Sequence, residues 1–139
     1  MIERVLVPVD GSEMADKALE YALDVHDDAE ITVLYVAGEP SPMMWKALSV
    51  AMDEDYDEAA RDLAEDVFEE ARAVAAEYDV ELDTTVAMGS PAQQIVERAE
   101  DFDAVVIGSH SGDLQSRLFV GNVAERVFKR SPVPVTVVR

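Results

Sequence analysis

The sequence predicts an α/β fold: a doubly wound parallel sheet of five strands with helices on both faces. Three observations carry that expectation. Strand-like runs alternate with helix-like runs along the whole chain, in the order β-α-β-α-β-α-β-α-β. The strand runs are apolar almost without interruption, as strands covered on both faces are. Glycines follow strands, with Gly11, Gly38, Gly89 and Gly108 each just past one.

The elements follow in order. Residues 2–9 end in an apolar run and read as a buried strand. Asp10, Gly11 and Ser12 turn the chain, with Ser12 as helix N-cap. Ala15, Ala18, Leu19, Ala22 and Leu23 recur at helical spacing over about 13–26. Residues 30–36 are rich in β-branched side chains and read as a second strand. Gly38, Pro40 and Pro42 close it, and 39–52 are irregular. A long helix runs from about 53 to 78. Ala60, Leu63, Ala64, Val67, Ala71, Val74 and Tyr78 form its apolar stripe, and Asp62, Glu65, Asp66, Glu69 and Glu70 its solvated face.

Residues 80–88 read as a third strand. Ser90-Pro91-Ala92-Gln93 is a capping box with Pro at the first helical position, opening a helix to about Glu100. Residues 103–107 are a fourth strand. A loop from Gly108 to Gly121 leads to a helix capped by Gly121 or Asn122 and running to about Lys129. Ser131 and Pro132 break it, and Val133 to Val138 is the fifth strand.

Composition removes several functions. The chain has 139 residues, suited to one domain over 1–139. It has no cysteine, so disulfide, thiolate and zinc–cysteine chemistry are excluded. No apolar run approaches a membrane span. No basic-then-apolar leader opens the chain, so the expected location is cytoplasmic. The net charge is −19, which opposes nucleic acid and anionic membranes as partners. Three Lys against eight Arg, under so much acid, suit a salt-loaded cytoplasm and a halophilic source. The charge is uneven. Residues 51–103 carry a net −15, whereas 104–139 carry +3.

All six glycines map to the carboxyl edge of the sheet, where open α/β sheets bind ligands near the point of strand-order reversal. The loop after the fourth strand holds Gly108, Gly112 and Gly121, with hydroxyls at Ser109, Ser111 and Ser116 and a charge at Arg117. It ends at a helix N-terminus, in the one net-positive quarter of the chain. That chemistry suits a phosphate. The loop is neither a Walker loop nor Gly-x-Gly-x-x-Gly.

These residues together resemble a known family. Val5-Leu-Val-Pro-Val-Asp-Gly-Ser-Glu13, Thr32-Val-Leu-Tyr-Val36, Val105-Val-Ile-Gly-Ser-His110, Gly121-Asn-Val-Ala-Glu-Arg-Val127 and Pro132-Val-Pro-Val-Thr-Val-Val-Arg139 stand in the order of a small universal stress protein. The resemblance covers the whole chain. It implies strand order 3-2-1-4-5 (adenine nucleotide alpha hydrolase-like), a crevice between strands one and four, and a homodimer. It also implies ATP or another adenine nucleotide as ligand, with Mg²⁺ as a companion ion. The family pattern is Gly-x-x-Gly, nine residues, then Gly-Ser/Thr. Gly108 and Gly121 match it. Ser111 stands in place of the second Gly, with Gly112 beside it, and Asn122 stands in place of Ser or Thr.

Carried over by position, Asp10 accepts from ribose or adenine. Val9 and Val36 offer backbone and apolar contacts to the base, and Pro8 shapes the end of strand one. Ile107 and Gly108 floor the pocket. Ser111, Gly112, Gly121, Asn122 and Val123 hold phosphates, and His110 approaches them. Asp10 has a second reading, as a turn carboxylate capping the first helix. His110 has one too, as a loop-shaping hydrogen-bonding residue. His26 reads as a surface residue after the first helix. No Ser–His–Asp set or metal spacing is marked. The Met43-Met44-Trp45 cluster reads as a partner surface, a flap, or packing under the long helix. The fifth strand, with Pro132 and Pro134, reads as an edge that pairs with a second copy. The expected function is a nucleotide-binding stress-response homodimer and not an enzyme, slow ATP hydrolysis aside. The alternative is a dimeric interaction module without nucleotide.

Overall fold

The strands are β1 (Arg4–Pro8), β2 (Glu30–Ala37), β3 (Asp83–Met88), β4 (Ala104–Gly108) and β5 (Val135–Val138). Between them lie α1 (Glu13–Val25), α2 (Asp53–Ala76), α3 (Pro91–Ala99) and α4 (Asn122–Arg130). The structure, a computed structural model, describes residues 1–37, 53–109 and 122–139, and among these the side chains outside 53–60. Gly38, Pro40, Pro42, the Met43-Met44-Trp45 cluster, Ala60 as a stripe residue and the loop 110–121 lie outside what is described. No described helix is long and apolar enough to cross a membrane.

The strands pair in parallel in the order β3-β2-β1-β4-β5, as expected. Their continuous apolar character has a direct cause. Val5, Val7, Val9, Ile31, Val33 and Val106 pack on one face beneath α1 and α2. Leu6, Leu34, Val105 and Ile107 pack on the other beneath α3 and α4. Alternate residues point to opposite faces, so a sheet covered twice needs both sets apolar.

The two ladders of β1 differ. Its pairing with β2 runs from Arg4↔Glu30 to Pro8↔Leu34. Its pairing with β4 holds Val5↔Ala104 and Leu6↔Val105 and stops. The Val9 amide donates to the Leu34 carbonyl at 2.8 Å, so by alternation the Pro8 nitrogen faces β4. Proline has no N–H to give there, and the ladder ends. At the opposite edge the strands are clamped. Asp103 Oδ2 accepts from the Glu3 and Arg4 amides at 2.9 and 3.0 Å. These two amides hold its carboxyl below the usual range. The Arg4 guanidinium stacks 4.8 Å from the Phe102 ring centroid.

Several boundaries and contacts depart from expectation. The α2 stripe is rotated: Ala64, Phe68, Ala71 and Ala75 are buried, Val67 and Val74 half-buried, but Leu63 and Tyr78 exposed. A stripe centred on 64–68–71–75 follows the 3.6 period; Leu63 falls off its flank, and Tyr78 lies past the end of the helix in the closing turn. Strand three starts at Asp83, not 80, because the α2 C-terminus needs the intervening residues. There Val80 N–H donates to Ala75 O and Asp79 N–H to Ala76 O, with Asp79 at φ 55°. That is a Schellman closure with Asp in the left-handed position.

Ser12 caps α1, its Oγ accepting from the Ala15 amide at 3.2 Å. Ser90 has the N-cap backbone, but its side chain makes no cap hydrogen bond. The expected capping box is not formed, and Gln93 donates to Glu97 instead. Strand five begins at Val135, not Val133. Ser131 Oγ donates to Val133 O and accepts from Val133 N, folding 131–133 into a turn. β3 and β5 are the sheet edges. Along β3, Arg98 of α3 donates to Thr85 Oγ1 at 3.0 Å and to the Val86 carbonyl at 3.4 Å.

The left-handed Asp79 carries a backbone cost that glycine does not. Asp79→Gly should stabilise the fold by about 0.5–1 kcal/mol. Urea unfolding measures this, and an unchanged or lower midpoint would contradict it.

Candidate functional site

Where β1 and β4 part, the sheet opens a crevice of about 370 Å³. It lies at the carboxyl ends of β1, β2 and β4, on either side of the point where strand order reverses. Sheets of this kind bind ligands there.

The walls come from six elements. Pro8 and Val9 enter from β1, Leu34 and Val36 from β2, and Ile107 and Gly108 from β4. Three helices bring their first turns: Met14 and Ala15 of α1, Pro91 and Ile95 of α3, and Asn122, Val123 and Ala124 of α4. The β1–α1 turn adds Asp10 and Ser12. The floor is aliphatic. The polar contributions are backbone ends, the Ser12 hydroxyl, the Asn122 carboxamide and the Asp10 carboxylate. Helix N-termini carry unpaired amides and a positive dipole end, so the rim favours an anion.

Of the residues expected at the site, Pro8, Val9, Asp10, Val36, Ile107, Gly108, Asn122 and Val123 come together here. His110, Ser111, Gly112 and Gly121 lie outside the described residues. The Val9 amide is held by Leu34 O and its side chain is buried in the α1–α2 core. Asp10 is exposed, and its Oδ1 accepts from the Ser12 amide at 2.9 Å, which realises the turn reading for that oxygen. Asn122 is the first residue of α4, and the residue before it lies outside the described residues. His26 ends α1, its amide donating to Ala22 O at 2.9 Å.

Sequence reasoning missed Ser12, Met14, Ala15, Leu34, Pro91, Ile95 and Ala124 as lining residues. Ser12 and Pro91 were legible as capping residues. A first turn after a β-strand in this fold faces the carboxyl edge, and that was the available signal. Among the described residues no group of three potential metal ligands gathers.

Electrostatics are uneven around α1. Asp16, one turn in, is pushed up to about 6 by burial, then by the hydrogen bond and charge of Glu70, then by the charges of Glu20 and Asp10. Gly108 is held tightly. A Cβ there would lie 2.5 Å from the Met14 carbonyl oxygen. The glycine lets the end of β4 rest against the first turn of α1.

Residues 1–139 match the universal stress protein family over their full length. A universal stress protein of Methanocaldococcus jannaschii is 30% identical, over 100% of this chain and 83% of its own length. One from Bacillus subtilis is 30% identical over 100% of both chains. The solved structure of UspA from Lactobacillus plantarum superposes with TM-score 0.78 at 26% identity, covering 99% of this chain and 98% of that one. A universal stress protein in complex with cAMP gives TM-score 0.65 at 24% identity, covering 99% and 97%. A family protein from Arabidopsis thaliana with AMP bound gives TM-score 0.68 at 18% identity, covering 98% and 90%.

The Gly108 contact predicts a structural outcome. Gly108→Ala should cost about 1–3 kcal/mol of stability before any ligand is added, because backbone must move to admit the methyl group. Thermal unfolding of the ligand-free variant is the measurement, and wild-type stability would refute the close contact.

Proposed function

The chain belongs to the universal stress protein family, and from that premise we propose that it binds an adenine nucleotide in the crevice and acts as a homodimer in a stress response. The observation that carries this reading is the parting of β1 from β4 at the strand-order reversal, with three helix N-termini around an aliphatic floor. A flat apolar base suits Leu34, Val36 and Ile95. Sugar or phosphate oxygens suit the amides at the start of α4 and the Ser12 hydroxyl. That oxygen accepts from Ala15, so its proton is directed elsewhere. Fold neighbours holding cAMP or AMP set the ligands to try first. ATP, with Mg²⁺ travelling on its phosphates, is the largest candidate. Ser111, Gly112 and Gly121 keep the phosphate roles expected from the sequence.

We read the protein as a binding protein and not an enzyme. In support, Asp10 is the only ionisable side chain among the described lining residues, and one of its oxygens is engaged by the turn. Dimerisation is assigned to β5. It is an edge strand whose Val135, Val137 and Val138 are half-buried, so their apolar surface is incompletely covered within one chain. We infer a cytoplasmic location.

Two measurements test these statements. At about 100 times Kd, ATP, ADP, AMP or cAMP should add roughly 2.7 kcal/mol, a rise in Tm of about 10 °C. No shift with any of the four would discard the nucleotide reading and leave the interaction module. Light scattering at micromolar concentration should give twice the chain mass. Substituting Val137→Lys at the edge should halve it, and a wild-type monomer would end the dimer assignment.

A further inference from the structure

The chain has no cysteine, so its oxidisable sulfur is all thioether. Among the described residues the thioethers belong to Met1, Met14 and Met88. Met1 and Met88 are exposed, and neither lines the crevice. Met14 is half-buried and does line it. Its backbone is fixed against the end of β4. A Cβ on Gly108 would lie 2.5 Å from the Met14 carbonyl oxygen and 3.2 Å from the Met14 Cβ. Met14 belongs to the first turn of α1, and side chains on a helix lean toward its N-terminus. Here that direction is the carboxyl edge of the sheet, where the crevice opens. The wall that Met14 shares with Leu34, Val36, Ile95 and Ile107 is otherwise aliphatic. Among the described lining residues, it is the one apolar side chain whose polarity a mild oxidant can change.

We propose that Met14 is a modification site: a peroxide converts its thioether to the sulfoxide, and this change reversibly weakens nucleotide binding in the crevice. This rests on the nucleotide reading above. In the reaction a sulfur lone pair attacks one peroxide oxygen, and the S–O bond forms as the O–O bond breaks. The departing hydroxide takes the proton of the transferred oxygen and leaves as water. Sulfur loses two electrons and the peroxide gains them. The product is a polar side chain whose new oxygen accepts hydrogen bonds. Two effects then oppose the ligand. The sulfoxide oxygen holds water, which a base or sugar seated on the aliphatic wall displaces without replacing its hydrogen bonds. It also sets the negative end of a dipole beside a rim where helix amides favour an anion. The tight contact with Gly108 leaves only side-chain torsions to turn that oxygen away. A bound nucleotide, in turn, covers the sulfur and slows its oxidation.

Treatment with hydrogen peroxide, with each methionine followed by mass spectrometry of its peptides, tests this. Met14 should gain one oxygen. AMP at about ten times Kd should slow that gain roughly tenfold and leave the rate at Met88 unchanged. Calorimetric titration with AMP should then show the oxidised protein binding about tenfold more weakly than the untreated one. Methionine sulfoxide reductase should restore the affinity. In Met14→Leu, whatever its own affinity, peroxide should cause no further loss, and in Met88→Leu the loss should persist. Without ligand, the oxidised protein should keep its cooperative thermal transition. Loss of that transition would overturn the proposal, because the effect would then be unfolding. Met14 left unmodified while Met88 is fully oxidised would overturn it too, as would unchanged AMP affinity after Met14 is oxidised or an equal loss in Met14→Leu. No binding of AMP or cAMP to the untreated protein would overturn the nucleotide reading and the modification with it.

Discussion

The structure turns on an amide that is missing. Pro8 ends the central strand with its nitrogen toward β4, and it has no hydrogen to donate. β1 therefore stays with β2 for one strand length and leaves β4 two residues early. The ladder stops where the crevice lies, α1 and α4 bring their N-termini to its rim, and Gly108 lies close against the Met14 carbonyl. The amino edge shows the opposite treatment, with Asp103 bridging to two amides of the first strand. The sheet is pinned at one end of the β1–β4 seam and split at the other.

Much of this was legible in the sequence, for a stated reason. A doubly covered parallel sheet forces both faces of each strand to be apolar, so the runs at 5–9, 31–37 and 104–107 announce themselves. The turn Asp10-Gly11-Ser12 was equally plain, because left-handed glycine and an N-capping serine are local requirements. The strand order came from resemblance and not from any single run. What was not legible is non-local. Pro91 and Ile95 belong to the crevice only because the crossover returns α3 to the edge where Pro8 lies. Leu63 and Tyr78 looked like stripe residues, yet Leu63 lies off the buried face of α2 and Tyr78 lies past its last residue. Ser90 shows the limit of a short motif. Its pattern was right and its backbone is right, but Gln93 found another partner in Glu97.

The acid is distributed with purpose that total charge conceals. Asp62, Glu65, Asp66 and Glu69 are exposed on α2, away from the sheet. Exposed pairs such as Arg72–Glu65 and Lys129–Glu125 add little to stability, since water and salt screen them. A net −19 therefore describes mainly an exposed, screened surface.

The guard on β3 has a consequence for growth. Arg98 occupies the Thr85 hydroxyl and a backbone carbonyl of that edge, while β5 presents short valine-rich backbone at the other. A sheet that is receptive at both margins can add copies without end and become a fibre. A sheet that is receptive at one margin can join a second copy only across a two-fold axis, and the union uses up both receptive margins. For the pairing proposed at β5, Arg98 on the far strand occupies one outward carbonyl and so opposes a second, open-ended contact there.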